Sequence, residues 1–368
     1  MLALLPIVVL VRAAETRDGP MEPAHRSTDP VAPGEAGGRQ LAVGVNAHVG
    51  WEDTSDSENR LVIDLLADAG VEWLRFDLAW CVLEADGPGT TDETYLRRID
   101  RAIDHANERG MKVLGVLLCT PGWASGAVGD GLPPLDFDDY GRVAERVSRR
   151  WQGRVHAWQV WNEPDPLQPF WEGGQAAYVE LLERAHPRIR AGSPDALVVA
   201  AGPSSNDPLW FDTFYRLGAA DHFDVLSTHT YQQQSDAPPD QHRKGGAWIS
   251  NLSDLREVMR AHGDESTPLW ITEFGWSGHG TVEGQPPWQR GVSPEVQADY
   301  LVQMLQMLES RHPYVEAAFW YNARDRIDAD RHNNSFGLLE RDLSPKPAFI
   351  ALAEYLQEAE QLPQDSFP

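Results

Sequence analysis

Two glutamates stand where acid–base and nucleophilic chemistry is available to them. Glu163 lies in Trp161-Asn162-Glu163-Pro164 and Glu273 in Thr272-Glu273-Phe274-Gly275, each at the end of a short apolar run. Taken alone, an Asn-Glu-Pro tripeptide is a common turn, and a single Glu at a strand end is a solvated charge. Trp270-Ile271 before Glu273 and Phe274 after it make its setting apolar instead. Two carboxyl groups facing one another supply one acid to protonate a leaving oxygen and one carboxylate to attack or to activate water, the pair that breaks a glycosidic bond. Whichever of the two is the acid needs a poorly solvated site that keeps it protonated at rest. Whichever of the two attacks must be ionised, which a neighbouring positive charge and hydrogen-bond donors favour. This chemistry calls for no cofactor or metal. His48, Asp77, Asn162, His229, Trp320 and Asn322 also fall just at or past apolar runs, as do Trp51, Trp80, Trp123 and Trp276. A flat aromatic face is a stacking platform for a sugar, but the same residues also fill cores, and His229 reads equally well as a hydrogen-bonded core histidine.

These residues need a frame that brings distant segments together. From Leu41 the chain alternates short apolar runs with amphipathic stretches. Strands are expected at 41–46, 72–78, 112–119, 156–161, 197–201, 224–230, 269–273 and 315–321. Helices are expected at 59–69, 92–109, 138–151, 175–190, 209–217, 253–261, after the cap Ser293, and at 347–358. Ser293 followed by Pro294 is the favoured helix start. Eight strands in strict alternation with helices argue for a parallel sheet closed by crossovers, an α/β (β/α)8 TIM barrel in one catalytic domain over 41–360. An open doubly wound sheet also alternates, but no Gly-x-Gly-x-x-Gly follows the first strand. In a barrel the site lies at the carboxyl ends of the strands. Strands four and seven would then present Glu163 and Glu273 to each other across the mouth.

Composition narrows the partners. The 368 residues carry a formal net charge of −25. Such a chain is repelled by nucleic acid and by anionic membrane surfaces. No apolar span is long enough to cross a bilayer. Residues 1–14 join an apolar run to Arg12-Ala13-Ala14 and read as a signal peptide, with an uncleaved N-terminal anchor or a truncated gene start as the alternatives. Residues 15–40, rich in Pro, Gly and charge, read as a flexible linker, and 361–368 as a tail. Export to the cell surface, periplasm or medium follows if the leader acts, and a cytoplasmic protein if it does not. There are two cysteines, Cys81 and Cys119. They fall at the ends of strands two and three, where a disulfide is open to them, as are two separate buried thiols.

Together these motifs resemble the clan A glycoside hydrolases, over roughly Leu41 to Leu356. The resemblance implies that Glu163 is the acid/base and Glu273 the nucleophile, with retention at the anomeric carbon. It implies that Arg75 stands beside the nucleophile and that Asn162 binds the sugar 2-hydroxyl. It further implies that His229 and Tyr231 form a His-x-Tyr pair, and that Trp320 floors the subsite before the scissile bond. Thr120-Pro121-Gly122-Trp123, Phe336-Gly337-Leu338-Leu339 and Pro345-Lys346-Pro347-Ala348 look most like family 39 and its relatives, with features of family 5. Family 5 usually carries a His after strand three, where this chain has Cys119-Thr120. The expected protein is a monomeric retaining glycosidase acting on an oligo- or polysaccharide, with an extended polymer favoured by the aromatic residues in its loops. Arg324 and Arg326, after strand eight, could hold a sugar carboxylate. A non-catalytic carbohydrate-binding barrel and a transglycosylase are the alternatives. The first has no use for two opposed carboxyls, and the second shares every residue.

Overall fold

The computed structural model describes residues 41–51, 54–129, 131–242, 248–326 and 331–361. The expected leader, the linker and nearly all of the tail lie outside them. The eight strands are β1 (Ala42–Asn46), β2 (Trp73–Ala79), β3 (Lys112–Leu118), β4 (Ala157–Val160), β5 (Leu197–Ala200), β6 (Val225–His229), β7 (Leu269–Phe274) and β8 (Val315–Trp320). Each pairs in parallel with the next, and β8 pairs with β1, so the sheet closes into a barrel. The outer helices are α1 (Asp56–Asp68), α3 (Glu93–Glu108), α5 (Phe137–Arg150), α6 (Gly174–Gly192), α7 (Pro208–Arg216), α8 (Leu252–Ala261), α9 (Pro294–Arg311) and α10 (Pro347–Gln361). Two single-turn helices, α2 (Trp80–Leu83) and α4 (Gly122–Ser125), sit directly after β2 and β3. They are too short to show a helical period in the sequence. Among the described residues, no helix is long and apolar enough to cross a membrane.

Helix starts follow side-chain caps. The first helix begins before the expected Asn59 because Ser55 and Glu58 form a reciprocal capping box, satisfying the backbone N–H groups of both. Ser293 Oγ accepts from the Val296 N–H, with Pro294 in the first turn of α9. Five strands stop one residue early, β4 and β6 among them. After β4 the backbone turns left-handed at Trp161, with φ 72°, and the register of β6 against β7 slips between Thr228 and His229.

The barrel interior is closed below the mouth by Trp73, Leu114, Ala157, Val199, Val225, Trp270, Ala317 and Phe319. Phe319 enters only because β1 carries Gly44, where a Cβ would lie 2.3 Å from its ring. Phe319 fixes the parity of β8: it points into the barrel, so Trp320 points out towards the helices and Tyr321 points in again. A second, larger apolar cluster, Trp320 included, fills the space between barrel and helices. At the rim a disulfide joins Cys81 in α2 to Cys119 after β3, with Cα atoms 5.3 Å apart.

Candidate active site

Above the apolar plug the inward positions turn polar. Arg75 on β2 is 2 % exposed and uses its whole fork. Nη1 donates to Asn46 Oδ1 and, at 2.8 Å, to Glu273 Oε1. Nη2 donates to Asn162 Oδ1 at 2.7 Å, and Nε to Gln159 Oε1 at 3.3 Å. Asn46 in turn donates to the carbonyls of Thr272 and Trp320, tying β1 to β7 and β8. Gln159 Nε2 donates to the Trp161 carbonyl at 2.8 Å, bracing the turn that carries Asn162 and Glu163. Glu163 itself has φ 43°, a backbone setting that costs a non-glycine residue on the order of 1 kcal/mol or more and persists where surroundings enforce it.

The two glutamates meet at His229. Its Nδ1 lies 2.8 Å from Glu163 Oε1 and 3.7 Å from Glu273 Oε2. One oxygen of each carboxyl and a nitrogen of His229 all fall within 4.8 Å of one another. Tyr231 completes the Glu273 shell, its hydroxyl donating to Oε2 at 2.9 Å. Burial, reinforced by the negative charge of Glu273, holds the Tyr231 hydroxyl well above its ordinary pKa, so it remains a donor. Burial pushes the Glu163 carboxyl up to about 7; the charges of Glu273 and Asp165 add to this, and the contact with His229 opposes it. Asp165 is likewise raised by burial, while the Ser204 N–H and hydroxyl, both at 2.8 Å, stabilise its charge. The two carboxylates and imidazole are spaced as cation ligands would be. The Arg75 guanidinium, 2.8 Å from Glu273, already supplies the positive charge there and opposes a second cation.

The structure therefore brings together Glu163, Glu273, Arg75, Asn162, His229 and Tyr231. His48 stands one step out, with Nδ1 3.3 Å from Asp77 Oδ2 and its ring stacked on Trp51 at 3.8 Å. Burial raises Asp77, but the His48 hydrogen bond and the charges of His48 and Arg75 prevail and hold it below the usual carboxylate range.

Three of the expected sugar platforms are corrected. Trp320 is 1 % exposed, donates to the Phe336 carbonyl and packs on Phe274 and Trp276, because strand parity turns it outward. Trp276 is buried against Tyr300 and donates to the Ala237 carbonyl. Trp80 is fully buried, donating to Glu84. Trp123 stays half-buried at the rim, edge-on to Trp80, its Nε1 bonded to the Glu84 carbonyl. Asn322 is buried, and Arg324 pairs with Glu58 at 3.3 Å. The residue that faces the mouth from β8 is Tyr321, whose ring meets His48 edge-on at 5.6 Å. Sequence reasoning also passed over Asn46, Gln159 and Asp165. The parity of β8 relative to the glycine at 44 was the signal for Tyr321; for Gln159, its placement two residues before Trp161 in an otherwise apolar strand was the signal.

Comparison with known proteins bears on the fold and the family. The sequence model of the family described as Cellulase (glycosyl hydrolase family 5) matches residues 35–325. A β-xylosidase of Caldicellulosiruptor saccharolyticus is 26% identical over 223 residues, 56% of this chain and 44% of that protein. The chain thus spans under half the length of that curated relative. A family 39 glycoside hydrolase from Bacteroides cellulosilyticus WH2 shares the fold with a TM-score of 0.70 at 23% identity, over 88% of this chain and 65% of that one. A family 5, subfamily 18 protein from Streptomyces cattleya, in complex with GlcNAc, gives 0.67 at 17% identity, over 90% and 82%.

Proposed function

The chain belongs to the cellulase family of glycosyl hydrolases, family 5, and from that premise we propose that it is a retaining glycosidase with Glu273 as nucleophile and Glu163 as acid/base. The observation that carries the reading is the approach of the two carboxyls, oxygen to oxygen within 4.8 Å. Retaining enzymes hold their carboxyls about 5–5.5 Å apart, whereas inverting ones leave roughly 6.5–9.5 Å for a water. In the first step a Glu273 oxygen bonds to the anomeric carbon as the bond to the leaving oxygen breaks. Glu163 passes its proton to that oxygen. In the second step water attacks the same carbon, Glu163 takes the water's proton, and the Glu273 ester bond breaks to free the sugar. The Asn162 amide is oriented for its part: Oδ1 accepts from Arg75, which leaves Nδ2 to donate to the sugar 2-hydroxyl.

The β-xylosidase relative supports β-linked substrates. A transglycosylase would use the same residues and differ only in its acceptor. Against a purely sugar-binding barrel stands the cost of burying two carboxyls, 5 % and 7 % exposed, side by side. Export joins the proposal because the Cys81–Cys119 bond suits an oxidising compartment. The test is a panel of 4-nitrophenyl β-glycosides, with the anomer of the first-formed product read by NMR. Retained configuration is expected; inverted product, or no turnover of any glycoside, defeats the reading.

A further inference from the structure

We propose that the site is a blind pocket for one terminal sugar, so that the enzyme removes single residues from non-reducing ends. This rests on the retaining-glycosidase reading and deepens it. Direction across the mouth comes first. Glu163 protonates the leaving oxygen, so the departing part of the substrate lies on the β4 side. In a ring of eight strands, β8 stands opposite β4. The sugar that receives the nucleophile therefore extends towards β8, its neighbour β1 and the next strand, β2. An enzyme that cuts within a chain needs that side open, with a platform for the next sugar.

That side is walled. The His48 ring stacks on Trp51 with centroids 3.8 Å apart, and the Arg326 guanidinium carbon lies 3.7 Å from the centroid of the same indole. Two groups this close to one ring centre cannot share a face, so both faces of Trp51 are covered. Trp51, partly exposed on this side, is thereby withdrawn as a stacking platform. Contact with Asp77 and the edge of Tyr321 hold His48 in place. Among the described residues this wall carries the Asp77 carboxylate, 24 % exposed, as a group able to accept hydrogen bonds from free sugar hydroxyls. An end residue offers a hydroxyl where an internal residue carries a glycosidic oxygen with nothing to donate. The depth of the site agrees: Glu163 and Glu273 are 5 % and 7 % exposed, as at the bottom of a pocket rather than along an open groove.

The test compares 4-nitrophenyl β-monoglycosides with the matching β-1,4-linked biosides of xylose, glucose and mannose, using the wild-type chain. A blind pocket releases nitrophenol at once from a monoglycoside. From the bioside it releases monosaccharide first, and nitrophenol only after a lag, with an initial rate about 100-fold lower or less. Immediate nitrophenol from the bioside, at a rate equal to or above that from the monoglycoside, overturns the pocket and leaves the glycosidase reading standing. If no compound of either series is cleaved, it is the glycosidase reading that falls. Trp51→Ala then tests the wall itself. Opening it is expected to shrink the mono-to-bioside ratio by about tenfold; an unchanged ratio in a variant still cleaving monoglycosides means the wall is not what excludes the second sugar.

Discussion

Glu163 and Glu273 are the same side chain, at nearly the same depth, and their partners divide the work. Glu273 accepts hydrogen bonds from a guanidinium and a phenol. Glu163 has no cationic side chain as firmly seated and is pushed up to about 7 by burial. Removing Glu273 as alanine should abolish turnover of every substrate, by at least about 10³-fold. Removing Glu163 should spare nitrophenyl glycosides, which leave with little protonation, far more than alkyl or sugar leaving groups. Equal losses on both substrate types would show the roles to be wrong. The pH profile carries a further expectation. A group whose carboxyl titrates near 7 holds its proton below that pH and loses it above, so the acid step should fail on the alkaline side. The alkaline limb of kcat should therefore centre near 7 and vanish in Glu163→Gln with an activated leaving group; a limb that survives that change belongs to another residue. Residue types and spacing made most of this site readable, since the motifs after strands four and seven name their own glutamates. What they could not show was which of two adjacent aromatics faces inward. Trp320 and Tyr321 differ by one position, and the choice between them rests on Phe319 filling a hollow left by a glycine on another strand.

Elements were legible where periodicity runs long and illegible where a tertiary contact decides. All eight strands and the long helices lie where the apolar pattern put them, within a few residues. The single-turn helices α2 and α4 did not, because four residues carry no period and are held by what surrounds them, here the disulfide at Cys81 and Cys119. That bond clips the segments after β2 and β3 across a sequence separation of 38. Closing such a loop removes denatured-state freedom worth roughly 3–4 kcal/mol on the chain-entropy model. Reduction, or Cys81→Ala with Cys119→Ala, should lower the urea unfolding free energy by about that amount, and thiol titration of the unfolded, unreduced chain should find no free thiol. Two free thiols would remove the clip from the account. At Gly44, Ala should cost about 1–3 kcal/mol or more, because its Cβ must displace the Phe319 ring from a packed layer. A neutral Gly44→Ala, measured by the same unfolding curves, would mean that Phe319 is free to move and no longer fixes which way Tyr321 faces.

At the scale of the whole molecule the governing quantity is charge. There are 56 acidic and 31 basic side chains, so even with every Lys and Arg paired, 25 carboxylates remain without a partner of opposite sign. Salt acts on this surface in two opposed ways. It weakens the exposed pairs, such as Arg101 with Asp56 or Arg154 with Asp104, each worth at most about 1 kcal/mol. It also screens the repulsion among the excess carboxylates, which acts over longer distances and is stronger in the compact state than in the expanded chain. Screening shortens the electrostatic range from about 30 Å at 0.01 M to about 10 Å at 0.1 M, so the long-range repulsion is lost before the contact pairs are. The repulsive part should win, and moderate NaCl should stabilise this protein. Thermal melts at pH 7 from about 0.01 M to 0.3 M NaCl should show Tm rising, by roughly 2–3 °C for each 1–2 kcal/mol gained in a domain of this size. The two buried contacts of the site, Arg75 with Glu273 and His229 with Glu163, are shielded from the solvent ions, so kcat on a neutral glycoside should stay flat over the same range. A Tm that falls with salt would mean that the surface pairs outweigh the net charge, and a kcat that tracks salt would mean that the site is open to bulk ions.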